Sequence, residues 1–467
     1  MRILLTGATG FIGRPLGTEL SRRGHEIVAL VRKVEETTLP FPAELVAWDD
    51  ANKLNDIDAV IHLAGESIAA RRWSAAQKKK ILESRTLTTV RLIDKLRKGT
   101  GRRPRVLASA SGVGFYGDRG DEILTETSQG GEGFLCDVCR AWEGAAREAE
   151  DFIPRVAWLR TGIVLGRGGG ALGAMLPLFK AGLGGRLGSG RQWMSWIHLD
   201  DMVNLYCSVV EAGTVTGAVN AVAPNPVTNA EFTKALAAQL KMPAVIPAPA
   251  FALKIALGEM SALLLESQRA KATNLPPDFK FRYPKIGDAL GAVFNGVEKA
   301  RGPLFHEHVS KAWVPAPPEK VFAYLANPAH LVECTPPAYE LRIEQQSTVR
   351  LAQNSGLTYS FKALGFRFLV RTHYLDWVEN HRYSTTHQRG PFAFWHHLHS
   401  FERVGSGTLI TERIIYRLRF GYLSSAIGHP LVAARLERAF SFRSRAIHRA
   451  MRRNFSLADE RAETIAG

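Results

Sequence analysis

The sequence predicts an α/β domain built on a doubly wound parallel sheet, followed by a smaller α+β domain with an antiparallel sheet. Three observations predict it. From residue 1 to about 230, short apolar runs alternate with helix-length amphipathic segments, the pattern of successive βαβ units. After about residue 303 that pattern gives way to long period-two runs and one final helix-length stretch. Between them, 294–303 (FNGVEKARGP) marks a change of composition, and 11 of the 14 histidines lie after residue 300. A length of 467 residues also exceeds one ordinary domain.

In the first domain strands are expected at 2–6, 26–31, 44–48, 58–63, 104–109 and 155–160, and helices at 12–23, 74–97 and 135–150. The first strand runs into Thr6-Gly7-Ala8-Thr9-Gly10-Phe11-Ile12-Gly13, and the helix that follows is ended by Gly24. A strand that turns through GxxGxxG into a helix is a phosphate cradle. The glycines let the backbone turn tightly and approach a pyrophosphate, and the helix start offers free N–H groups and a positive dipole end. The alternative is a glycine turn with no ligand. The second strand ends at Arg32-Lys33, where a dinucleotide domain that prefers NAD carries an acidic residue for the ribose 2′-hydroxyl. Two cations suit a 2′-phosphate, which arginine binds bidentately, so NADP(H) is the expected cofactor and a solvated basic turn the alternative. Residues 166–190 hold ten glycines around a short apolar piece, 171–181. They read as a mobile loop and short helix over a site, or as an irregular surface excursion. Residues 227–292 read as helices with proline breaks.

In the second domain period-two runs fall at 305–314, 338–346, 357–363, 366–377, 381–388, 392–402 and 408–420, and a closing helix at 430–455. A helix starts at Pro317-Pro318-Glu319, since proline suits a first helical turn. Trp395, His397, His399 and Phe401 share one strand face, as do Ile410, Glu412, Ile414, Tyr416 and Leu418 on the next. If Phe401 pairs with Ile410, His399 faces Glu412 and Trp395 faces Tyr416. That sets a His–Glu pair among apolar stripes, where it would hold a polar ligand head and titrate as a unit. A one-residue slip would put the stripes on opposite faces. A metal set of His396, His397 and His399 is disfavoured because only alternate residues share a face, and no metal is expected. Leu436, Phe440, Ile447 and Met451 give the closing helix an apolar stripe. Arg435, Arg438, Arg443, Arg445, Arg449, Arg452 and Arg453 read as a solvated basic face, with weak membrane-surface contact as the alternative.

Bulk composition narrows the class. No stretch approaches eighteen uninterrupted apolar residues, and the N-terminus starts a strand at once without a signal-peptide pattern, so a cytoplasmic protein is expected. Four cysteines make no disulfide framework, and the lone Cys136-x-x-Cys139 lacks two further zinc ligands. The net charge of +16 is spread over both domains, with 22 Lys/Arg against 13 Asp/Glu after residue 300. No nucleic-acid module accompanies it, so no nucleic-acid partner is expected.

The glycine motif, His62-Leu63-Ala64-Gly65-Glu66, and Ser109-Ala110-Ser111 leading to Phe115-Tyr116-Gly117 follow the order of extended short-chain dehydrogenases. More specific are Ser84-Arg85, Trp142-Glu143, Leu165-Gly166-Arg167-Gly168-Gly169-Gly170, Gly188-Ser189-Gly190-Arg191-Gln192, Trp196-Ile197-His198-Leu199-Asp200-Asp201 and Arg282-Tyr283-Pro284. Together they resemble the atypical epimerase-like branch of that family, the NADP-dependent nucleoside-diphosphate-sugar epimerases, over about residues 1–295. The resemblance implies a Rossmann fold with cofactor contacts at Thr6, Gly7, Gly10, Phe11, Ile12, Gly13, Arg32, Leu63, Ala64 and Arg85. It implies oxidation, reduction or epimerisation of a small-molecule substrate, and often a homodimer. The family's Tyr-x-x-x-Lys pair falls here on Leu135 and Cys139, which cannot do that work. Ser111 and Tyr116 are then the expected catalytic residues, with His198 as an alternative acid/base. A non-catalytic NADP(H)-binding sensor is the rival. Val314-Pro315-Ala316-Pro317 through Val321-Phe322 to the closing helix resembles the helix-grip fold of START-like and polyketide-cyclase-like proteins. That implies a hydrophobic small-molecule ligand. The expected organisation is thus 1–297 with a substrate-side subdomain from about 227, a helix-grip domain at 303–455, and a tail at 456–467.

Overall fold

The computed structural model describes residues 1–50, 54–99, 101–167, 169–180, 182–294, 304–348, 351–419 and 421–466. The chain divides into two compact units, Met1–Val34 with Ala43–Asn295, and Glu35–Pro42 with Gly296–Gly467. Residues 35–42 were expected in the first domain. They belong to the second, where Leu39 O accepts a hydrogen bond from Trp313 N at 2.7 Å. Among the described residues no helix is long and apolar enough to cross a membrane.

The first unit is built on a seven-stranded parallel sheet. Its strands are β1 (Arg2–Thr6), β2 (Glu26–Val31), β3 (Glu44–Ala47), β4 (Ala59–His62), β5 (Val106–Gly112), β6 (Arg155–Thr161) and β7 (Gly217–Ala221). The order is β7-β6-β5-β4-β1-β2-β3, a doubly wound sheet. The six expected strands are present. β7 (GAVNA) was missed because it lacks the β-branched run that marks the others. Its helices include α1 (Gly13–Arg22), α2 (Ala75–Lys98), α3 (Phe134–Arg147) and α4 (Leu199–Glu211), and another, Gly170–Lys180, occupies the apolar piece of the glycine-rich stretch. Leu4, Val28, Val60 and Leu107 of the strands pack with Leu92, Ile93 and Leu96 of α2 in one core. Strand order reverses between β1 and β4, so the crevice beyond their carboxyl ends is where this architecture receives ligands.

The second unit is a seven-stranded antiparallel sheet: β8 (Phe305–Val314), β9 (Arg342–Gln346), β10 (Gly356–Ala363), β11 (Phe366–Val378), β12 (Arg382–Arg389), β13 (Phe394–Val404) and β14 (Gly407–Arg417), in the order β8-β14-β13-β12-β11-β10-β9. The closing helix α5 (Gly421–Ala466) starts earlier than expected and continues through the stretch expected as a tail. Ala446, Ile447 and Met451 of α5 share a core with Val314, Phe322, Tyr383, Phe401 and Ile410. The β13–β14 register pairs Phe401 with Ile410, His399 with Glu412 and Trp395 with Tyr416, as the apolar stripes require.

Candidate cofactor and ligand sites

The turn after β1 is a cradle that side chains would fill. Gly7 has φ +69°, and a Cβ there would lie 2.9 Å from the Leu63 carbonyl carbon. A Cβ at Gly13 would lie 2.1 Å from Gly7 O. Gly10 N donates to Gly7 O at 2.9 Å, closing the turn. Helix α1 then starts with Ile12 as its N-cap, no side chain bonded to its free N–H groups and no acidic residue in its first turn. That leaves donors and a positive dipole end with no internal partner, so a pyrophosphate fits them. Phe11 explains part of the distant glycine-rich motif. Its ring packs where a Cβ at Gly169 would come within 2.6 Å and one at Gly166 within 3.0 Å.

Thr6 joins the two strand ends that flank the crevice. Its Oγ1 accepts from Leu63 N at 3.1 Å and Ala64 N at 3.2 Å, and bonds His62 Nδ1 at 2.7 Å. His62 Nε2 bonds Thr89 Oγ1 at 2.9 Å, and Thr89 donates to Arg85 O. These partners assign the chain a direction: Thr6 O–H donates to Nδ1, and Nε2–H donates to Thr89. His62 is fully buried, which lowers its pKa to about 4 and keeps it neutral. Sequence reading used His62 only as part of a motif. Its role in tying β1, β4 and α2 together was missed, because Thr89 lies 27 residues away.

Arg32 and Lys33 are exposed at the end of β2. Arg85 reaches from α2 to Gly65, its guanidinium carbon 3.2 Å from where a Cβ would stand, and lies 4.9 Å over the Trp142 ring. Burial pulls its pKa down, opposed by Cys139 and Glu66 nearby. Leu135 packs against the buried core of Trp73, Ile81 and Val138. Cys139 Sγ donates to Gly112 O at 3.5 Å, and burial raises its thiol pKa to about 12.

Ser111 and Tyr116 fall in one buried network. Ser111 Oγ donates to Glu143 Oε1 at 2.7 Å. Arg160 grips Glu143 with two parallel bonds, both 2.9 Å, and donates to Tyr116 Oη at 3.0 Å. The Tyr116 proton is shared between Asn220 Oδ1 at 2.7 Å and Thr125 O at 2.9 Å. Arg160 and Glu143 are 4% and 3% exposed, so this is a charge pair buried behind Ser111. Burial also raises the Tyr116 pKa. His198 caps α4: its Nδ1 accepts from Asp200 N at 3.1 Å, and its ring lies 4.1 Å from that of Tyr283. Asp201 accepts from Arg282 N at 2.7 Å and Tyr283 N at 3.0 Å, so the two distant motifs meet to hold that helix start.

In the second unit the His–Glu pair gains two partners. His399 Nδ1 lies 3.1 Å and His397 Nε2 3.6 Å from Glu412 Oε1. Arg443 of α5 places Nε 2.9 Å from the same oxygen. This corrects the reading of Arg443 as a solvated arginine. It lies three residues after Phe440 and four before Ile447, on the apolar stripe, and answers a buried carboxylate. Desolvation holds both imidazoles well below their ordinary pKa.

Over residues 3–221 the chain matches the NAD dependent epimerase/dehydratase family, and over 248–293 a domain of unknown function, DUF1731. It is 41% identical to the chloroplastic epimerase family protein SDR39U1 homolog of Arabidopsis thaliana, over 63% of this chain and 86% of that one. It is 39% identical to epimerase family protein SDR39U1 of Bos taurus, over 63% and 99%. Among solved structures it resembles human SDR39U1 (isoform2) with NADPH, at TM-score 0.57 and 36% identity, covering 64% of this chain and 100% of that one. A nucleoside-diphosphate sugar epimerase from Corynebacterium glutamicum matches at TM-score 0.50 and 38% identity, over 63% and 58%. With relatives matched over nearly their whole length and a doubly wound sheet carrying the glycine cradle, the chain belongs to the epimerase/dehydratase family of extended short-chain dehydrogenases.

Proposed function

We propose that the first unit is an NADP(H)-dependent oxidoreductase or epimerase acting at a carbinol carbon of a nucleotide-sugar-like substrate. The second unit, in this reading, is a START-like helix-grip domain that holds a hydrophobic small molecule. The observation that carries the proposal is the uncapped, acid-free start of α1 behind the Gly7–Gly13 turn, at the point where strand order reverses. The human relative crystallised with NADPH supports the same cofactor. NADP(H), when bound, supplies hydride exchange with a carbon centre. The N–H groups at Phe11, Ile12 and Gly13 would hold its pyrophosphate, with Gly10 closing the turn onto Gly7 O, Arg32 would hold its 2′-phosphate, and the Leu63–Ala64 backbone would flank it. Ser111, whose hydroxyl proton goes to Glu143 in this structure, would turn that O–H to a substrate oxygen on binding. Tyr116, whose proton is committed to Asn220 and Thr125, acts as a positioning residue for Arg160. Arg85, whose charge is felt at the Cys139 thiol, would bring a cation near the place of the family's lysine.

One observation favours the non-catalytic sensor: Leu135 stands at the tyrosine place and packs against the apolar core of Trp73, Ile81 and Val138. The test is turnover of a panel of nucleotide sugars at saturating NADP+ and of carbonyl compounds at saturating NADPH. Product formation that falls at least about tenfold in Ser111→Ala supports the enzyme. No turnover with cofactor binding intact removes it. Activity created only by Leu135→Tyr with Cys139→Lys would then identify a competent site that lacks its chemistry.

A further inference from the structure

The second unit holds three buried Lewis-basic atoms that converge on one another and form no hydrogen bond. His397 Nε2, His399 Nδ1 and Glu412 Oε1 lie within 4.8 Å of one another. None has a hydrogen-bond partner, and the His399 and Glu412 side chains are only 4% and 3% exposed. An unpaired buried polar atom costs about 1–3 kcal/mol, and natural domains keep few of them. Three converging on one point need an explanation in what they receive.

The spacing fits a metal centre. Two ligand atoms each about 2.0–2.1 Å from an ion, at the angles zinc adopts, stand roughly 3.0–3.6 Å apart. The His399–Glu412 and His397–Glu412 separations of 3.1 and 3.6 Å match. His399 Nδ1 and Glu412 Oε1 stand within hydrogen-bond distance yet form no hydrogen bond, as two ligands around a shared centre do. Strand geometry places the set: His397 and His399 are alternate residues on the inward face of β13, and Glu412 stands opposite His399 on β14. Two imidazoles and one carboxylate select a zinc-class ion over magnesium or calcium.

Arg443 completes the argument. Its Nε sits 2.9 Å from Glu412 Oε1, the same oxygen an ion would take, and it also lacks a hydrogen bond there. Its side chain is 12% exposed, the most open of the four. We propose that His397, His399 and Glu412 bind one zinc-class divalent ion, and that Arg443 is the counter-charge that neutralises Glu412 until the ion displaces it.

The experiment uses the full chain, stripped with a chelator and titrated with Co²⁺ followed by Zn²⁺. The expected result is one equivalent of Co²⁺ with visible d–d bands, bleached by one equivalent of Zn²⁺. His399→Ala and Glu412→Gln should each weaken that equivalent at least about 100-fold. Arg443→Met, which removes the like charge, should bind Co²⁺ at least about tenfold more tightly than the natural chain. Absence of the d–d bands, the same uptake by His397→Ala/His399→Ala, or no gain in Arg443→Met overturns the proposal. Where the ligand variants fail to fold, the natural chain and Arg443→Met decide it.

Discussion

Replacing Gly13 with alanine should disable the cofactor cradle while leaving a folded chain. The added Cβ would stand 2.1 Å from Gly7 O, 2.8 Å from Gly7 C and 2.9 Å from Ala8 Cα. All three are backbone atoms, so no side chain can swing aside. To reach even the shortest contacts that real Cβ atoms make, near 3.0 Å, the glycine turn and the first turn of α1 must part by almost 1 Å. The N–H groups of Phe11, Ile12 and Gly13 then lose their common focus. Each such bond to a phosphate is worth about 1.5–3 kcal/mol, so losing two costs at least about 3 kcal/mol, or roughly 100-fold in Kd. Overpacking itself destabilises by about 1–3 kcal/mol. The assay is calorimetric titration with NADPH beside thermal unfolding of the free protein. Gly24→Ala is the control, because its φ of +81° strains an alanine but nothing lies within 4 Å of the new Cβ. It should cost stability without touching NADPH affinity. NADPH binding by Gly13→Ala within threefold of the natural chain would refute the cradle.

Arg32→Ala should weaken NADPH about 10–100-fold and leave NADH within threefold, measured by fluorescence titration; equal losses for both would remove Arg32 as the 2′-phosphate ligand. Glu143→Leu strands a guanidinium that is 4% exposed, and should cost about 3–5 kcal/mol in denaturant unfolding; a loss below about 1 kcal/mol would mean the pair is not held as described. His62 should make the fold acid-sensitive. Its folded pKa is lowered from 6.5 to about 4, so the unfolded chain takes up the proton first as pH falls. Its contribution is therefore complete above pH 6.5 and is lost on the way down to about pH 4, by about 3 kcal/mol in all. Unfolding free energies of the natural chain and His62→Asn across that range check this, and parallel curves would count against it.

Six strands of the parallel sheet were legible because each is a short apolar run bounded by turn residues, β7 was not, and the glycine cradle was legible because its spacing is local. The β13–β14 register was legible in part: pairing Phe401 with Ile410 puts both apolar stripes on one face, whereas a one-residue slip would separate them. What was missed depends on partners far apart in sequence. Arg160 and Glu143 form their pair across 17 residues, between a strand and a helix. A signal existed, because Arg160 occupies a buried position in β6 (RVAWLRT) and a buried arginine needs a carboxylate. Arg443 carried the same signal by sharing the stripe of Phe440 and Ile447. Residues 35–42, with two prolines and no periodicity, gave no sign that they belong with the second unit.

The central claim is that the first unit is built around NADP(H). Native mass spectrometry of the full chain with equimolar NADPH and NADH tests it most directly. The account predicts one NADPH retained per chain, in preference to NADH and lost in Arg32→Ala. A chain that binds neither dinucleotide, or that retains NADH over NADPH, would contradict it.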